Sequence, residues 1–524
     1  METPLTPLEF ARRARRLYAD REAVVDGDLR LSYKQFFERC DRWSAALQKM
    51  GVRQGDRVAY IAPNVHAQLE SFYSVLQIGA TLVPINYRLT ADDFAYLIQH
   101  SGARVVCAHS DYLKAVDSIR SQVTKVEHFV ALDGNGEQRW LDYETILRSS
   151  PAEFDRPVIQ ETDLATINYT SGTTSRPKGV MITHRNAYIN VVGTLVHFHM
   201  TPADRYLWTL PMFHANGWTF VWTVTAAGGT HVCLPKVEAK TAFEKIAGER
   251  ITSMCAAPTV LIFLANAPEE MRRGVRPGIR VITAGAPPAA ATIERIESEF
   301  GWSMTHAYGL TETSPFISIC EPRPEHEPLS VGDRCVVKAR QGVELVTSGE
   351  LRVVDEHDQE VPHDGETLGE ITASGNAIMK GYYNDPEATA KVIRNGWFYT
   401  GDAAVVHPDG YIEVRDRLKD VIISGGENIS SVEVEGVLLR HPAVQEVAVV
   451  GMPHEKWGEA PRAFVVLRRN AQASEDDLRA FARDKMAHFK VPHSFAFVPE
   501  LPKTATGKIQ KYVLRGKAAA IHKQ

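Results

Sequence analysis

The sequence predicts an α/β protein with a large N-terminal domain of βα-layered sheets and a small β subdomain, followed by a smaller α+β C-terminal domain. Three observations lead there. Between about residues 30 and 300, short apolar runs alternate with longer helical periodicities, the pattern of a largely parallel sheet covered by helices. From about 330 to 415 the runs shorten and are separated by turns such as Pro408-Asp409-Gly410, which reads as a β unit. After Arg417-Leu418-Lys419-Asp420 a new compact unit begins.

In order along the chain, Arg57–Ile61 reads as a strand, Val65–Gly79 as a helix and Arg104–Ala108 as a strand. Val281–Ala284 is a further strand, ended by Gly285-Ala286-Pro287-Pro288 and followed by an amphipathic helix near Ala290–Phe300. In the last unit, strands are expected at Val444–Val450 and Ala463–Leu467. A helix opens at Ser474, whose spacing to Asp477 resembles a capping box ahead of an apolar stripe of Leu478, Phe481, Ala482 and Met486. The expected division is 1–416, a connection at 417–419, and 420–524.

Composition excludes several classes. A chain of 524 residues that is 44% hydrophobic supplies about three to four compact units with real cores. The net charge of -5 is spread over 59 basic and 64 acidic residues without a long single-sign block, so neither nucleic acid nor an anionic membrane is an expected partner. Cys40, Cys107, Cys233, Cys255, Cys320 and Cys335 stand far apart with no zinc-type spacing, which suits buried, reduced thiols. Arg12, Arg13, Arg15 and Arg16 precede no apolar run of signal-peptide length, and nothing approaches the ~20 apolar residues of a membrane span. The expectation is a surface helix at the start of a cytoplasmic protein.

Two separated segments favour phosphate. Tyr169-Thr-Ser-Gly-Thr-Thr-Ser-Arg-Pro-Lys-Gly179 is rich in hydroxyls and glycine, which bring backbone amides close to phosphate oxygens, and Lys178 adds positive charge. It is not a Walker A loop, since G-x-x-x-x-G-K-[ST] is absent. Lys508 closes Pro502-Lys-Thr-Ala-Thr-Gly-Lys508. Between them stand Tyr308-Gly-Leu-Thr-Glu312, after a predicted strand, then Tyr399-Thr-Gly-Asp402 and Arg417. In this order the set resembles the AMP-forming acyl-CoA synthetases of the adenylate-forming superfamily, over roughly residues 30 to 515.

The resemblance implies roles. Thr170, Ser171, Gly172, Thr173, Thr174 and Lys178 would cradle phosphates, with Ser175 standing where the family usually has glycine. Gly285, Ala286 and Pro287 would lie against adenine, Tyr308 would stack on it, Gly309 belongs to the same segment, and Thr311 would touch the α-phosphate. Glu312 would help to hold Mg²⁺, for which one carboxylate with phosphate oxygens and water suffices. Asp402 would bind the ribose hydroxyls and Arg417 ribose or phosphate, with Asp416 replacing the usual glycine before it. Lys508 would neutralise charge gathered in the adenylation transition state. Lys419 matches a hinge about which the C-terminal domain turns, and Gly425, Gly426 and Glu427 match the segment approaching the pantetheine arm of CoA. In Leu210-Pro-Met-Phe-His214-Ala-Asn-Gly-Trp218, His214 would stand near the adenylate and Trp218 would gate an acyl pocket, with Phe220 and Trp222 adding apolar surface.

The implied activity is conversion of a carboxylic acid to acyl-AMP and then acyl-CoA, using ATP, Mg²⁺ and CoA. The expected substrate is a medium- or long-chain fatty acid. The alternatives are a short, branched, aromatic or thioether acid, or loading of a carrier protein in place of CoA. A non-enzymatic sensor fits poorly with the full set of Lys508, Glu312 and Asp402, and a homodimer is one assembly open to the chain.

Overall fold

A computed structural model describes residues 2–134, 139–170, 176–425, 427–454, 456–503 and 509–521. Four sheets organise it. The first has nine strands around a parallel centre formed by Arg205–Leu207, Thr230–Val232, Ser253–Cys255, Arg280–Thr283 and Ser303–Gly309. The second has eight. Its parallel centre includes Arg57–Ile61, Thr81–Ile85, Val105–Ala108 and Leu164–Thr170, and it is extended by antiparallel Lys178–Thr183 and Gly381–Tyr382. Parallel strands buried on both faces need continuous apolar runs and covering helices, which the sequence supplies.

The third sheet is the expected β unit, antiparallel through Glu350–Val354, Gly369–Ser374, Trp397–Val406 and Ile412–Arg417. The fourth belongs to the smaller C-terminal domain and joins Ile422–Ser424, Glu427–Ile429, Val444–His454, Gly458–Leu467 and Ser494–Phe497. The fold is therefore mixed α/β with a large N-terminal and a smaller C-terminal domain, as the alternation of periodicities required.

Several elements match their expected bounds, including the helix Ala290–Phe300 and the capping box at Ser474, where Leu478 and Ala482 are buried beneath it. The helix expected over 65–79 is shorter. It runs His66–Ser74, then tightens to a 3₁₀ turn at Leu76–Ile78 that ends on Gly79 at φ 70°. Every side chain from Ala67 to Ser74 is buried, so tertiary packing, not amphipathic periodicity, sets its ends. The helix Val331–Lys338 falls inside the span expected to be β, ahead of the sheet itself. Its signal was Ser330, whose side chain accepts from Asp333 N at the N-cap.

The N-terminal helix Leu8–Leu17 buries Phe10, Ala11 and Ala14, and Arg15 pairs with Asp41 at 2.6 Å, so its basic face is turned partly onto the protein. All six cysteines are buried and unpaired. Among the described residues, no helix is long and apolar enough to cross a membrane.

Candidate active site

Thr170, Gly285 and Tyr308 lie at or just beyond the carboxyl ends of strands from the parallel centres of the two large sheets, where ligands of open α/β sheets bind. Strand Leu164–Thr170 runs into the phosphate-loop segment and returns as Lys178–Thr183, with Thr170 directly opposite Lys178. Ser171, Gly172, Thr173, Thr174 and Ser175 lie outside the described residues. The strand is held from below by a closed ring of buried polar groups. Thr166 Oγ1 donates to Asn168 Oδ1 at 2.7 Å, Asn168 Nδ2 donates to Asn216 Oδ1 at 3.1 Å, and Asn216 Nδ2 donates to Thr166 Oγ1 at 2.8 Å. Each buried amide thus finds a partner, which ties the approach to the loop to the turn that follows His214.

Strand Ser303–Gly309 carries Tyr308 to the edge of the third sheet. There the phenol donates to Asp402 Oδ2 at 2.6 Å, while Arg417 Nε contacts Asp402 Oδ1 at 2.8 Å. Asp402 and Arg417 are register partners on neighbouring strands, so the sheet itself sets this pair. Burial works against the Arg417 charge, but the surrounding acidic groups, Asp402 foremost, together outweigh it and raise its pKa. Burial, reinforced by Asp402, pushes the Tyr308 phenol well above its ordinary range, so it stays a donor. Gly309 is fixed by close approach, since a Cβ there would stand 1.8 Å from the Pro315 carbonyl oxygen.

The next turn holds Thr311 and Glu312. Tyr382 donates its hydroxyl to Glu312 Oε1 at 2.9 Å, and Lys178 Nζ lies 4.8 Å from the Tyr382 ring centre. Tyr382 thus joins the phosphate-loop lysine to the glutamate, and the sequence reading missed it. The available signal was faint. Tyr382 sits in a two-residue strand whose partner is Val180, two positions after Lys178. One carboxylate at this mouth suits a magnesium ion that completes its shell with phosphate oxygens and water.

Gly285, at φ 84°, follows strand Arg280–Thr283, with Ala286 and Pro287 half-buried after it. Trp218 reaches the same place. Its Cζ2 lies 3.7 Å from where a Cβ on Gly285 would stand, and its ring meets Phe316 edge-on at 5.8 Å. The backbone that presents it is left-handed for five residues, with φ 35° at Ala215, 50° at Asn216, 53° at Gly217, 51° at Trp218 and 70° at Thr219. Left-handed conformation costs a non-glycine residue about 1–2 kcal/mol, so the surrounding packing imposes it. His214 is half-buried at the start of this run, and its carbonyl accepts from Trp218 N at 3.4 Å. Phe220 and Trp222 are corrections. Phe220 stacks on Tyr206 at 4.8 Å and Trp222 meets Phe72 at 5.8 Å, because the helix Phe220–Ala227 is buried throughout and turns both rings into the core.

Lys419 is exposed, two residues past Arg417. Gly425 donates its N–H to the Trp457 carbonyl at 2.8 Å, and Glu427 is exposed at the start of Glu427–Ile429. Gly426 and Lys508 lie outside the described residues.

The profile of the AMP-binding enzyme family matches residues 10–383, and that of the AMP-binding enzyme C-terminal domain matches 433–508. The chain is 40% identical to a peroxisomal trans-cinnamate:CoA ligase of Petunia hybrida, covering 98% of this chain and 94% of that one. It is 42% identical to an acetate–CoA ligase of Humulus lupulus, covering 98% and 95%. A solved structure of an anthranilate CoA ligase in complex with anthranoyl-AMP superposes with a TM-score of 0.88 at 26% identity, covering 99% of this chain and 100% of that one.

Proposed function

The chain belongs to the AMP-binding enzyme family as an AMP-forming acid:CoA ligase, and from this premise we propose its substrate class and the work of its residues. In the first step an oxygen of the substrate carboxylate attacks the α-phosphorus of ATP, the bond to the departing diphosphate breaks, and acyl-AMP and pyrophosphate result. In the second, the sulfur of CoA attacks the acyl carbon, the acyl–phosphate bond breaks, AMP leaves, and the thiol proton is released.

The reading is carried by the placement of Tyr308 and Glu312. Four positions apart at the end of one strand, they reach Asp402 on one side and Tyr382 beside Lys178 on the other. A nucleotide laid across that strand end has its ribose at Asp402 and Arg417 and its phosphates toward Lys178, Thr170 and the 171–174 segment. Asp402 already accepts from Tyr308 and Arg417, and a carboxylate retains lone pairs for ribose hydroxyls. Gly285, Ala286 and Pro287 flank the base with Tyr308 and Gly309, Thr311 faces the α-phosphate, and Glu312 would hold Mg²⁺, which would supply neutralising charge on the phosphate oxygens. Lys508 supplies an ammonium to the adenylation transition state, and His214 borders the acyl-adenylate. Residues 417–419 form the hinge between domains 1–416 and 420–524, turning at Lys419 so that Gly425, Gly426 and Glu427 border the CoA arm in the second step.

For the acid we propose a compact one, short, branched or aromatic. Trp218, 3% exposed and braced by Phe316, closes the space beside Gly285. The named relatives act on acetate and cinnamate and the structural neighbour on anthranilate, none of which supports the medium- or long-chain acid expected earlier. The six buried thiols suit a reducing compartment, for which we propose the cytoplasm, although the Petunia hybrida relative is named peroxisomal. Pyrophosphate release measured against acids from acetate to palmitate, with benzoate and cinnamate, each with and without CoA, tests the proposal. Turnover confined to compact acids and dependent on CoA is the expected result. A preference for palmitate would overturn the substrate class, and indifference to CoA would favour a carrier protein as acceptor.

A further inference from the structure

Asp416 entered the sequence reading only as a residue in place of glycine. In the structure it is 4% exposed and joins the two domains. It lies in strand Ile412–Arg417, where it is the register partner of Ala403, next to the pair Asp402 and Arg417. Its Oδ1 accepts from Arg417 N at 2.9 Å. Its Oδ2 reaches past the hinge and accepts from Ser431 N at 2.9 Å and from Ser431 Oγ. Ser431 is fully buried at the first turn of helix Ser431–Leu438.

Behind Ser431 stands a buried ion pair. Lys511 donates to Ser431 Oγ and contacts Glu435 Oε1 at 2.8 Å, with both side chains 14% exposed. Glu435 Oε1 also accepts from Val449 N at 2.7 Å. The chain of contacts therefore runs from Asp416, before the hinge, through Ser431 to Lys511, after it. Lys511 opens the last helix, Lys511–Ile521, three positions after Lys508 in the sequence. Arg515 and Asp420 also pair here, but both follow Lys419 and would move together.

The chain has one covalent route between Asp416 and Ser431, through 417–430. If the C-terminal domain turns at Lys419, Asp416 stays with the strand that carries Asp402 while Ser431, Glu435 and Lys511 leave as a unit. Both contacts to Ser431 must then break, exposing a carboxylate and a backbone N–H to water. Made in one orientation and lost in the other, this contact biases the equilibrium between them by the difference in its free energy.

We propose that Asp416 is a positioning residue for the adenylation step, a latch that holds the C-terminal domain through Ser431 and Lys511 in the orientation described here and is released before thioester formation. This rests on the two-step reading and the hinge proposed above. Asp416 touches neither nucleotide nor acid in this account. It acts by setting how much of the time the C-terminal domain holds the orientation described here.

The test separates the two half-reactions of the full-length enzyme. Wild type must first release pyrophosphate with its preferred acid and convert supplied acyl-AMP and CoA to thioester, and failure of either would count against the function itself. Given both, Asp416→Ala is expected to slow adenylation about tenfold or more, the scale of a lost charged hydrogen bond, with thioester formation from supplied acyl-AMP unchanged or faster. Ser431→Ala should do the same more weakly, and the double variant should fall no further than Asp416→Ala, because the two residues share one contact. Equal loss in both half-reactions, no loss in either, or full additivity of the two variants would overturn the latch. Should Asp416→Ala fail to fold, Asp416→Asn keeps the shape and one acceptor oxygen, and the same split is read from it.

Discussion

The phenol hydroxyl of Tyr382 donates to Glu312 Oε1 at 2.9 Å while its ring faces the Lys178 ammonium at 4.8 Å. One side chain therefore orients the proposed magnesium carboxylate and flanks the phosphate-loop cation. Tyr382→Phe keeps the ring and removes only the donor. Adenylation should fall by about tenfold, the scale of a hydrogen bond to a charged group. The Mg²⁺ concentration for half-maximal pyrophosphate release should rise. An unchanged Mg²⁺ dependence would assign the phenol to packing alone.

Lys508→Ala is expected to abolish acyl-adenylate formation nearly completely while thioester formation from supplied acyl-AMP persists. An ammonium at the α-phosphate acts on charge that develops only in the first step. Rapid-quench measurement of each half-reaction checks this, and equal loss of both would remove Lys508 from its role.

Trp218 is held at φ 51° with its ring between Gly285 and Phe316. Trp218→Gly relieves the left-handed strain and empties the space the indole fills. The ratio of kcat/KM for octanoate over butyrate should rise by at least about tenfold, since each added methylene then buries about 0.8 kcal/mol of apolar surface. A ratio equal to that of wild type would place the acyl group elsewhere.

A half-buried network away from the site predicts a pH dependence of stability. His66 Nδ1 contacts Asp26 Oδ2 at 2.7 Å, and Arg39 Nη1 donates to Glu144 Oε2 at 3.0 Å. Burial disfavours the imidazolium, but Asp26 and Glu144 prevail and raise His66 from 6.5 to about 9. Its contribution to stability is therefore complete below pH 6.5 and lost as pH rises through about 9. Glu144 is opposite in sign. Burial would raise it, but His66 and Arg39 lower it from 4.5 to about 2, so its contribution is present above pH 4.5 and lost as pH falls through about 2. The melting temperature of His66→Gln should lie below that of wild type at pH 6 and converge with it by pH 10. A gap that persists at pH 10 would mean that shape, not charge, is what His66 supplies.

Much of the site was legible because its residues lie in short contiguous segments whose chemistry is local. The hydroxyl and glycine run ahead of Lys178 points to phosphate by residue type, while the Tyr308 to Glu312 turn and Asp402 with Arg417 took their proposed base and ribose roles from the family resemblance. Tyr382 and Asp416 were not legible as site residues. Each matters for what it meets across the fold, at Glu312 seventy positions away and at Ser431 beyond the hinge. Phe220 and Trp222 failed in the opposite way, since proximity in sequence to Trp218 suggested a shared pocket that the fully buried helix Phe220–Ala227 does not allow.

The sequence by itself determined the α/β class, the order of the strands' apolar runs and the family, because periodicity and local motifs are properties of neighbouring residues. Tertiary structure alone decided where helix 66–74 ends, that five residues from Ala215 to Thr219 turn left-handed, and that Trp218 faces Gly285. Those outcomes depend on packing between segments distant in the chain, which outweighs local backbone preference and leaves no periodic trace in the sequence.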